Sequence, residues 1–291
     1  MTKSQTMGKY LIIMPAYNEA DYIKQTIDSI VNQRLLPSKL IIVNDNSTDQ
    51  TQDIIQDYAK QYSWITLVNR SSQNIHLPGS KVVQTFNYGL DTVSELEEYD
   101  FIVKLDADLI LPINYFETIN QAFLNNRKLG LVGGFAYIEK NKEWVIESLT
   151  NKEHIRGAFK AYRTKCFKEI GGLKPAMGWD TVDELLCLYY QWEYNTIDSL
   201  HVKHLKPTGA MYNKAARYKQ GESFYRLHYG GIITCIAALK LASKKKKPLL
   251  FIDYLIGYYK AKKESLPYLV TDEQGKFIRK YRWKKIKEKL W

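Results

Sequence analysis

Cysteine is scarce: 3 of 291 residues, Cys166, Cys187 and Cys235, an odd number with no Cys-x-x-Cys spacing. That argues against a disulfide framework and against a cysteine zinc site, and makes a reducing compartment the expectation. Long apolar runs are missing too. Nowhere do about 18 uncharged apolar residues follow one another, as a conventional spanning helix requires. The longest candidate, Tyr229 to Leu239, stops at Lys240. The opening residues lack the apolar stretch of a secretory signal, so a cytoplasmic protein is expected. There is no internal repeat, and low complexity is confined to Lys244 to Lys247. With 45% hydrophobic residues the chain can bury a sizeable core, which excludes a disordered protein or a mini-protein.

Acid is thin in the last third. From His201 onward there are 22 Lys/Arg against 6 Asp/Glu, whereas the first 200 residues hold 20 against 25. A mildly acidic body therefore carries a basic tail, the mark of an anionic partner.

Short β-rich runs alternate with helical patterns through the first 135 residues. Leu11–Met14, Leu40–Val43, Ile65–Val68, Phe101–Leu105 and Gly130–Gly134 read as strands, nearly continuous in apolar character as in a sheet covered on both faces. Ile23, Ile27, Ile30 and Val31 form one helical face between the first two, and Ile54, Ile55 and Tyr58 another before the third. The alternation implies right-handed crossovers and a three-layer α/β fold with a mainly parallel sheet. A further helix is expected from about Val182 to Trp192. Ligands in such sheets gather at the carboxyl ends of the strands.

Three polar clusters fall at those ends: Pro15-Ala-Tyr-Asn-Glu19, Asn44-Asp-Asn-Ser-Thr-Asp49 and Asp106-Ala-Asp108. Each taken alone is compatible with a turn or a helix cap. The third is the most telling, because two carboxylates leave the end of a buried strand two residues apart, facing the same way. Like charges so placed call for a cation, and a hard divalent ion, Mn²⁺ or Mg²⁺, is the usual solution, completed by substrate phosphates.

In this order and spacing, Pro15-x-Tyr-Asn-Glu19, Val43-Asn-Asp45-x-Ser47-x-Asp49 and Leu105-Asp-Ala-Asp108 resemble the family 2 glycosyltransferases of the GT-A fold. Gly171-Gly172 followed by Trp179-Asp-Thr-Val-Asp-Glu184 fits as well. The resemblance covers roughly Lys9 to Leu205. It implies a GT-A domain over 9–205, followed by a basic, helical, amphipathic region over 206–291. It also implies an inverting transfer of sugar from a nucleotide-diphospho-sugar, most readily a UDP-sugar, to a hydroxyl of a glycan or lipid-linked acceptor.

Carried over by position, Pro15, Ala16, Tyr17 and Glu19 line the nucleoside pocket and Asp45 meets the base. Asp106 meets the ribose or the ion, and Asp108 holds the ion. Asp183 is the general base, with Asp180 and Glu184 as rivals and Trp179 beside them on the acceptor side. His204 is a diphosphate or metal contact. Lys81 is either a phosphate contact or a solvated helix start.

The chain departs from the family pattern at Asn44-Asp45, where paired acids are usual, and at Leu77–Val83, where a Gly-rich segment is usual. Val182-Asp183 replaces a Glu-Asp pair. Gln-x-x-Arg-Trp is absent, so addition of a single sugar is expected rather than polymerisation. The rivals are a sugar nucleotidyltransferase and a non-catalytic binding module on the same scaffold.

In the tail, Leu227–Leu241 and Pro248–Tyr259 are apolar and aromatic, and Tyr281–Trp291 mixes aromatics with cations. This is the composition of an interfacial segment on an anionic membrane, here the inner face of the cytoplasmic membrane, or of helices packed on the catalytic domain. No nucleic-acid motif occurs, and none is expected as a partner.

Overall fold

The computed structural model describes residues 8–72, 79–147, 153–206 and 217–290. Its first half alternates as the apolar pattern requires: β1 (Tyr10–Ala16), α1 (Ile23–Val31), β2 (Lys39–Asp45), α2 (Thr51–Gln61), β3 (Ile65–Arg70), α3 (Ser80–Leu90) and β4 (Phe101–Leu105). Then follow β5 (Leu109–Ile110), α4 (Tyr115–Asn125), β6 (Leu129–Lys140), β7 (Glu143–Ile146), β8 (Phe159–Arg163), α5 (Thr164–Glu169), α6 (Trp179–Tyr189) and β9 (Glu193–His204). Four helices close the chain: α7 (Lys219–Arg226), α8 (Gly230–Lys244), α9 (Leu249–Lys263) and α10 (Asp272–Leu290).

One nine-stranded sheet runs β3-β2-β1-β4-β8-β6-β9-β5, with β7 paired to β6. The three-layer α/β architecture is as expected. The sheet itself is mixed: β3 through β4 are parallel, but β8 is antiparallel to both β4 and β6, and β5 is antiparallel to β9. A further antiparallel pair, β6 with β7, comes from a short connection. β6 and β7 are joined by Asn141 and Lys142, both at positive φ (52° and 66°), the signature of a two-residue hairpin turn.

Successive residues of β1 serve opposite cores. Tyr10, Ile12 and Met14 pack with Ile23, Ile27 and Ile30 of α1 and with α4, while Leu11 and Ile13 pack with α3 and α6. Both faces being covered explains why the strand is apolar throughout.

The second core continues into the C-terminal helices, where Phe224, Ile233, Tyr254 and Ile278 join Leu185 and Leu186. α10 is therefore docked: Ile278 is buried, Phe277 meets Tyr189 edge-on at 5.5 Å, and Arg282 donates to the Tyr229 hydroxyl at 2.6 Å. α7 and α9 cross at two glycines. A Cβ on Gly221 would lie 1.8 Å from the Tyr254 carbonyl oxygen, and one on Gly257 would lie 2.1 Å from that of Tyr218. Only hydrogen fits there. Gly221→Ala is expected to cost about 1–3 kcal/mol through overpacking, read as a lower urea midpoint with unchanged slope.

Candidate active site

The loops after β1 and β2 are laced together. Asn18 N–H donates to Ser47 Oγ at 3.0 Å, Thr48 N–H to Asn18 Oδ1 at 2.8 Å, and Glu19 N–H to Thr51 Oγ1 at 2.8 Å. Asn18 and Asn46 take positive φ (51° and 60°), which asparagine tolerates better than most residues. The third strand-end cluster is held by Thr26 of α1. Its buried hydroxyl donates to the Ala107 carbonyl at 2.8 Å and accepts from Leu109 N–H at 2.9 Å, bracketing Asp108. All three clusters thus lie along one edge, at the carboxyl ends of β1, β2 and β4.

At one end of this edge is Asp45, buried, with Oδ2 accepting from Thr85 at 2.9 Å and Arg70 at 3.2 Å, and Lys81 Nζ 3.8 Å away. Its Oδ1 is buried with no hydrogen-bond partner. An unsatisfied buried carboxylate oxygen is costly and calls for a donor from elsewhere. Lys81 also lies 4.6 Å from the centre of the half-exposed Tyr17 ring. Lys81 accordingly belongs with Asp45 and Tyr17. Pro15 and Ala16 form the end of β1 beneath them. Asn44 is structural: its Nδ2 donates to Gln52 and Asn69. Of the altered segment 77–83, Leu77 and Pro78 lie outside the described residues.

At the other end, Asp106 is ion-paired with the buried Lys104. Asp108 Oδ2 lies 3.4 Å from His204 Nε2, and Asp108 Oδ1 is again buried and unpartnered. The β5–β9 register, Leu109 opposite His204, brings the histidine there. Glu19 Oε1 pairs with Lys206 at 3.0 Å, leaving Oε2 buried without a partner. Burial pushes the Glu19 carboxyl up to about 7, with Lys206 opposing and Asp108 and Asp106 adding to the rise.

Among the described residues no three His, Cys, Asp or Glu side chains converge as a ready-made metal cluster. The orphaned Asp108 oxygen beside an imidazole nitrogen is nonetheless a donor set that fits a hard cation retaining waters and substrate oxygens.

The acids of α6 differ sharply from one another. Asp183, the expected base, is 2% exposed. Lys160 Nζ lies 3.0 Å from its Oδ1, the Tyr162 hydroxyl donates to Oδ2 at 2.5 Å, and Glu184 N–H donates to Oδ1 at 2.7 Å. Burial raises its proton affinity, yet both oxygens are occupied. Glu184 is equally committed, accepting from Ile155 N–H at 2.8 Å and lying 3.1 Å from Lys160. Trp179 is buried, its ring packed against Gly157.

Asp180 alone among these is open, with 29% of its side chain exposed. Its Oδ2 lies 3.4 Å from His154 Nε2, whose Nδ1 lies 3.0 Å from Glu184 Oε2. Burial lowers the His154 ring, but the two carboxylates overcome it and lift it to about 10. Burial likewise raises Asp180, and His154 more than reverses this, leaving Asp180 ionised well below the usual carboxylate range.

The helix starts at Trp179, three residues before the expected Val182, because Gly178 takes a left-handed turn (φ 79°) that sets the N-terminus. This earlier start puts Asp180, not Asp183, in the first turn. The sequence reading passed over Lys104, His154, Lys160, Tyr162 and Arg70. Lysines inside the central strands β4 and β8 were the available signal, since a buried lysine demands an acid.

A mixed sheet covered by helices, with polar clusters at the carboxyl ends of β1, β2 and β4, is a GT-A-like α/β fold. Residues 11–175, more than half of the chain, match the family model described as Glycosyl transferase family 2. The chain belongs to that family.

Among curated relatives it is 28% identical over 209 residues to the "Uncharacterized glycosyltransferase MG025" of Mycoplasma genitalium, covering 66% of this chain and 65% of the relative. It is 25% identical over 191 residues to the poly-beta-1,6-N-acetyl-D-glucosamine synthase of Staphylococcus epidermidis, covering 58% of this chain and 41% of that one. The match thus spans less than two thirds of either relative's length. Among solved structures, the fold resembles the Pyrobaculum calidifontis mannosyltransferase PcManGT in complex with GDP-Man and Mn²⁺, at TM-score 0.59, 16% identity and coverage of 94% and 79%. It also resembles S. aureus TarS 1–349 in complex with UDP-GlcNAc, at TM-score 0.55, 16% identity and coverage of 87% and 73%.

Two outcomes are expected. Lys160→Met strands Asp183 and Glu184 without their cation and should cost about 3–5 kcal/mol in urea unfolding. Glu19, ordinarily at 4.5 and here at about 7, makes the folded state bind more protons between those values, so stability should fall as pH rises through that window. Glu19→Gln should flatten that slope in unfolding curves recorded between pH 5 and 8.

Proposed function

We propose that the chain is an inverting, metal-dependent glycosyltransferase. It moves a single sugar from a nucleotide-diphospho-sugar to a hydroxyl of a glycan or lipid-linked acceptor, at the inner face of the cytoplasmic membrane. In this reading residues 9–205 form the catalytic unit and 206–291 a membrane-side region. The observation that carries it is the pair of buried, unpartnered carboxylate oxygens, Asp45 Oδ1 and Asp108 Oδ1, at two ends of one strand-end edge. A nucleotide-diphosphate complements both, with a base N–H for one and a cation-bridged diphosphate for the other. An acceptor-only carboxylate calls for a ring N–H on the base, which uracil, thymine and guanine carry and cytosine lacks. The donors named in the two solved structures, GDP-Man with Mn²⁺ and UDP-GlcNAc, support the substrate class.

In this mechanism Asp45, steadied by Thr85 and Arg70, orients the base, and Tyr17 with Lys81 covers it. Asp108 and His204, with Asp106 nearby, would hold Mn²⁺ or Mg²⁺, which when bound stabilises the departing diphosphate as a Lewis acid. A single displacement needs one general base on the acceptor side. Geometry precedes proton affinity in that choice, and it favours Asp180 over Asp183. Asp180 is ionised and open to solvent, and its neighbour His154 fixes its carboxylate. Asp183, Glu184, Lys160 and Tyr162 form the buried floor that keeps α6 in place.

Asp180→Asn is expected to lower sugar transfer at least about 100-fold while donor affinity is retained, whereas Asp183→Asn should mainly lower the unfolding temperature. A folded, inactive Asp183→Asn beside an active Asp180→Asn would return the base to Asp183. Donor class is tested by thermal shift with UDP-, dTDP-, GDP- and CMP-sugars, with and without Mn²⁺. A Mn²⁺-dependent rise with a UDP-sugar, abolished by Asp108→Ala, is the expected result, and no rise with any donor would sink the proposal.

A further inference from the structure

α8 is apolar over most of its surface, with Lys240 and Lys244 as its charged residues. Ile233, Ala238 and Ala242 are buried against the protein, yet Ile232, Ile236 and Leu239 are 67%, 37% and 62% exposed. A helix that turns large aliphatic side chains both inward and outward is one that is normally covered. α9 repeats the arrangement. Tyr254, Gly257 and Tyr258 face inward, while Leu249, Ile252, Ile256 and Tyr259 form an exposed stripe at helical spacing. The short link Lys245–Pro248 joins the two helices, which pack on each other as one helical hairpin that carries both stripes.

The fringe of this surface is cationic. Between His228 and Lys263 lie eight lysines and one acid. That acid, Asp253, is buried and held by Arg217 Nε at 2.7 Å, so it offsets none of the outer charge. Lys244, Lys246, Lys247, Lys260 and Lys263 are exposed around the apolar stripe.

Two properties must be matched by whatever covers this face: hydrocarbon for the stripe and negative charge for the rim. A second copy of the chain supplies the first but sets lysine against lysine. An anionic bilayer supplies both. Among the described residues no helix is long and apolar enough to cross a membrane. At 15 residues each, α8 and α9 extend only about 22 Å, short of the roughly 30 Å hydrocarbon core. They suit a position in the plane of the interface. α10, the most cationic helix, is by contrast docked on the protein through Ile278 and Arg282.

We infer that the α8–α9 face is a monotopic docking surface for an anionic lipid bilayer, the apolar stripe entering the acyl boundary and the lysines meeting the headgroups. The inference gives the membrane-side reading above a defined surface and stands apart from the donor chemistry.

The test is co-sedimentation of the full chain with phosphatidylcholine vesicles and with an equal mixture of phosphatidylcholine and phosphatidylglycerol. Binding is expected to the mixture only, weakening with salt. Lys244→Glu/Lys247→Glu should reduce partitioning at least about 25-fold, each lost lysine being worth about fivefold. Ile252→Ser/Ile256→Ser, at exposed positions, should reduce it at least about tenfold. Asp108→Ala should bind vesicles as the parent does, so that loss of donor binding and loss of lipid binding are separable. Failure of the parent to bind either vesicle, or variants that bind as tightly as the parent, would overturn the inference. So would a dimer by light scattering that the Ile252→Ser/Ile256→Ser pair dissolves without altering vesicle binding.

Discussion

Two buried lysines set the chemistry of the site. Lys104 on β4 and Lys160 on β8 are paired across antiparallel strands and therefore share a face of the sheet. The first holds Asp106; the second holds Asp183 and Glu184. The Trp179 ring lies 5.4 Å from one ammonium and 6.0 Å from the other. Without these cations Asp106, Asp183 and Glu184 would be uncompensated charges in a largely dry interior, which proteins avoid by protonation or unfolding. With them, the acids stay fixed in position, and what differs among the acids is which carboxylate oxygens are left without a partner.

Each carboxylate is therefore defined by what already occupies it. Asp183 and Glu184 are fully engaged from within. Asp45 and Asp108 are engaged on one oxygen and bare on the other, and Asp180 is tethered on one oxygen with its side chain partly open. Such a gradient of commitment separates structural acids from ligand-facing ones more sharply than charge or proton affinity does, since burial raises several of them alike.

Much of this was legible from residues alone. β1, β2, β3 and β4 announce themselves because strands covered on both faces must be apolar throughout, and the polar clusters after them are where such sheets present ligands. The other half of the sheet was hidden for the same physical reason in reverse. β8 reads Phe-Lys-Ala-Tyr-Arg, and its lysine looks solvent-facing until α6 supplies the acids that bury it. β9 scatters exposed polar and charged residues, among them Glu193, Asp198 and Lys203, through its length and has no apolar run. The different surroundings of Asp180, Asp183 and Glu184 follow from where α6 begins. Gly178 fixes that start through a backbone angle, and a string of letters does not display it.

The docking of α10 has a consequence for how far the working unit extends. Phe277 and Gln274 press on Tyr189 and Tyr190, the last turn of the helix whose first turn bears Asp180. α10 thus backs the C-terminal end of α6 across 84 residues of sequence at the Gln274–Tyr190 contact. The charge profile suggests a seam before the C-terminal helices, yet the packed interior runs straight across it.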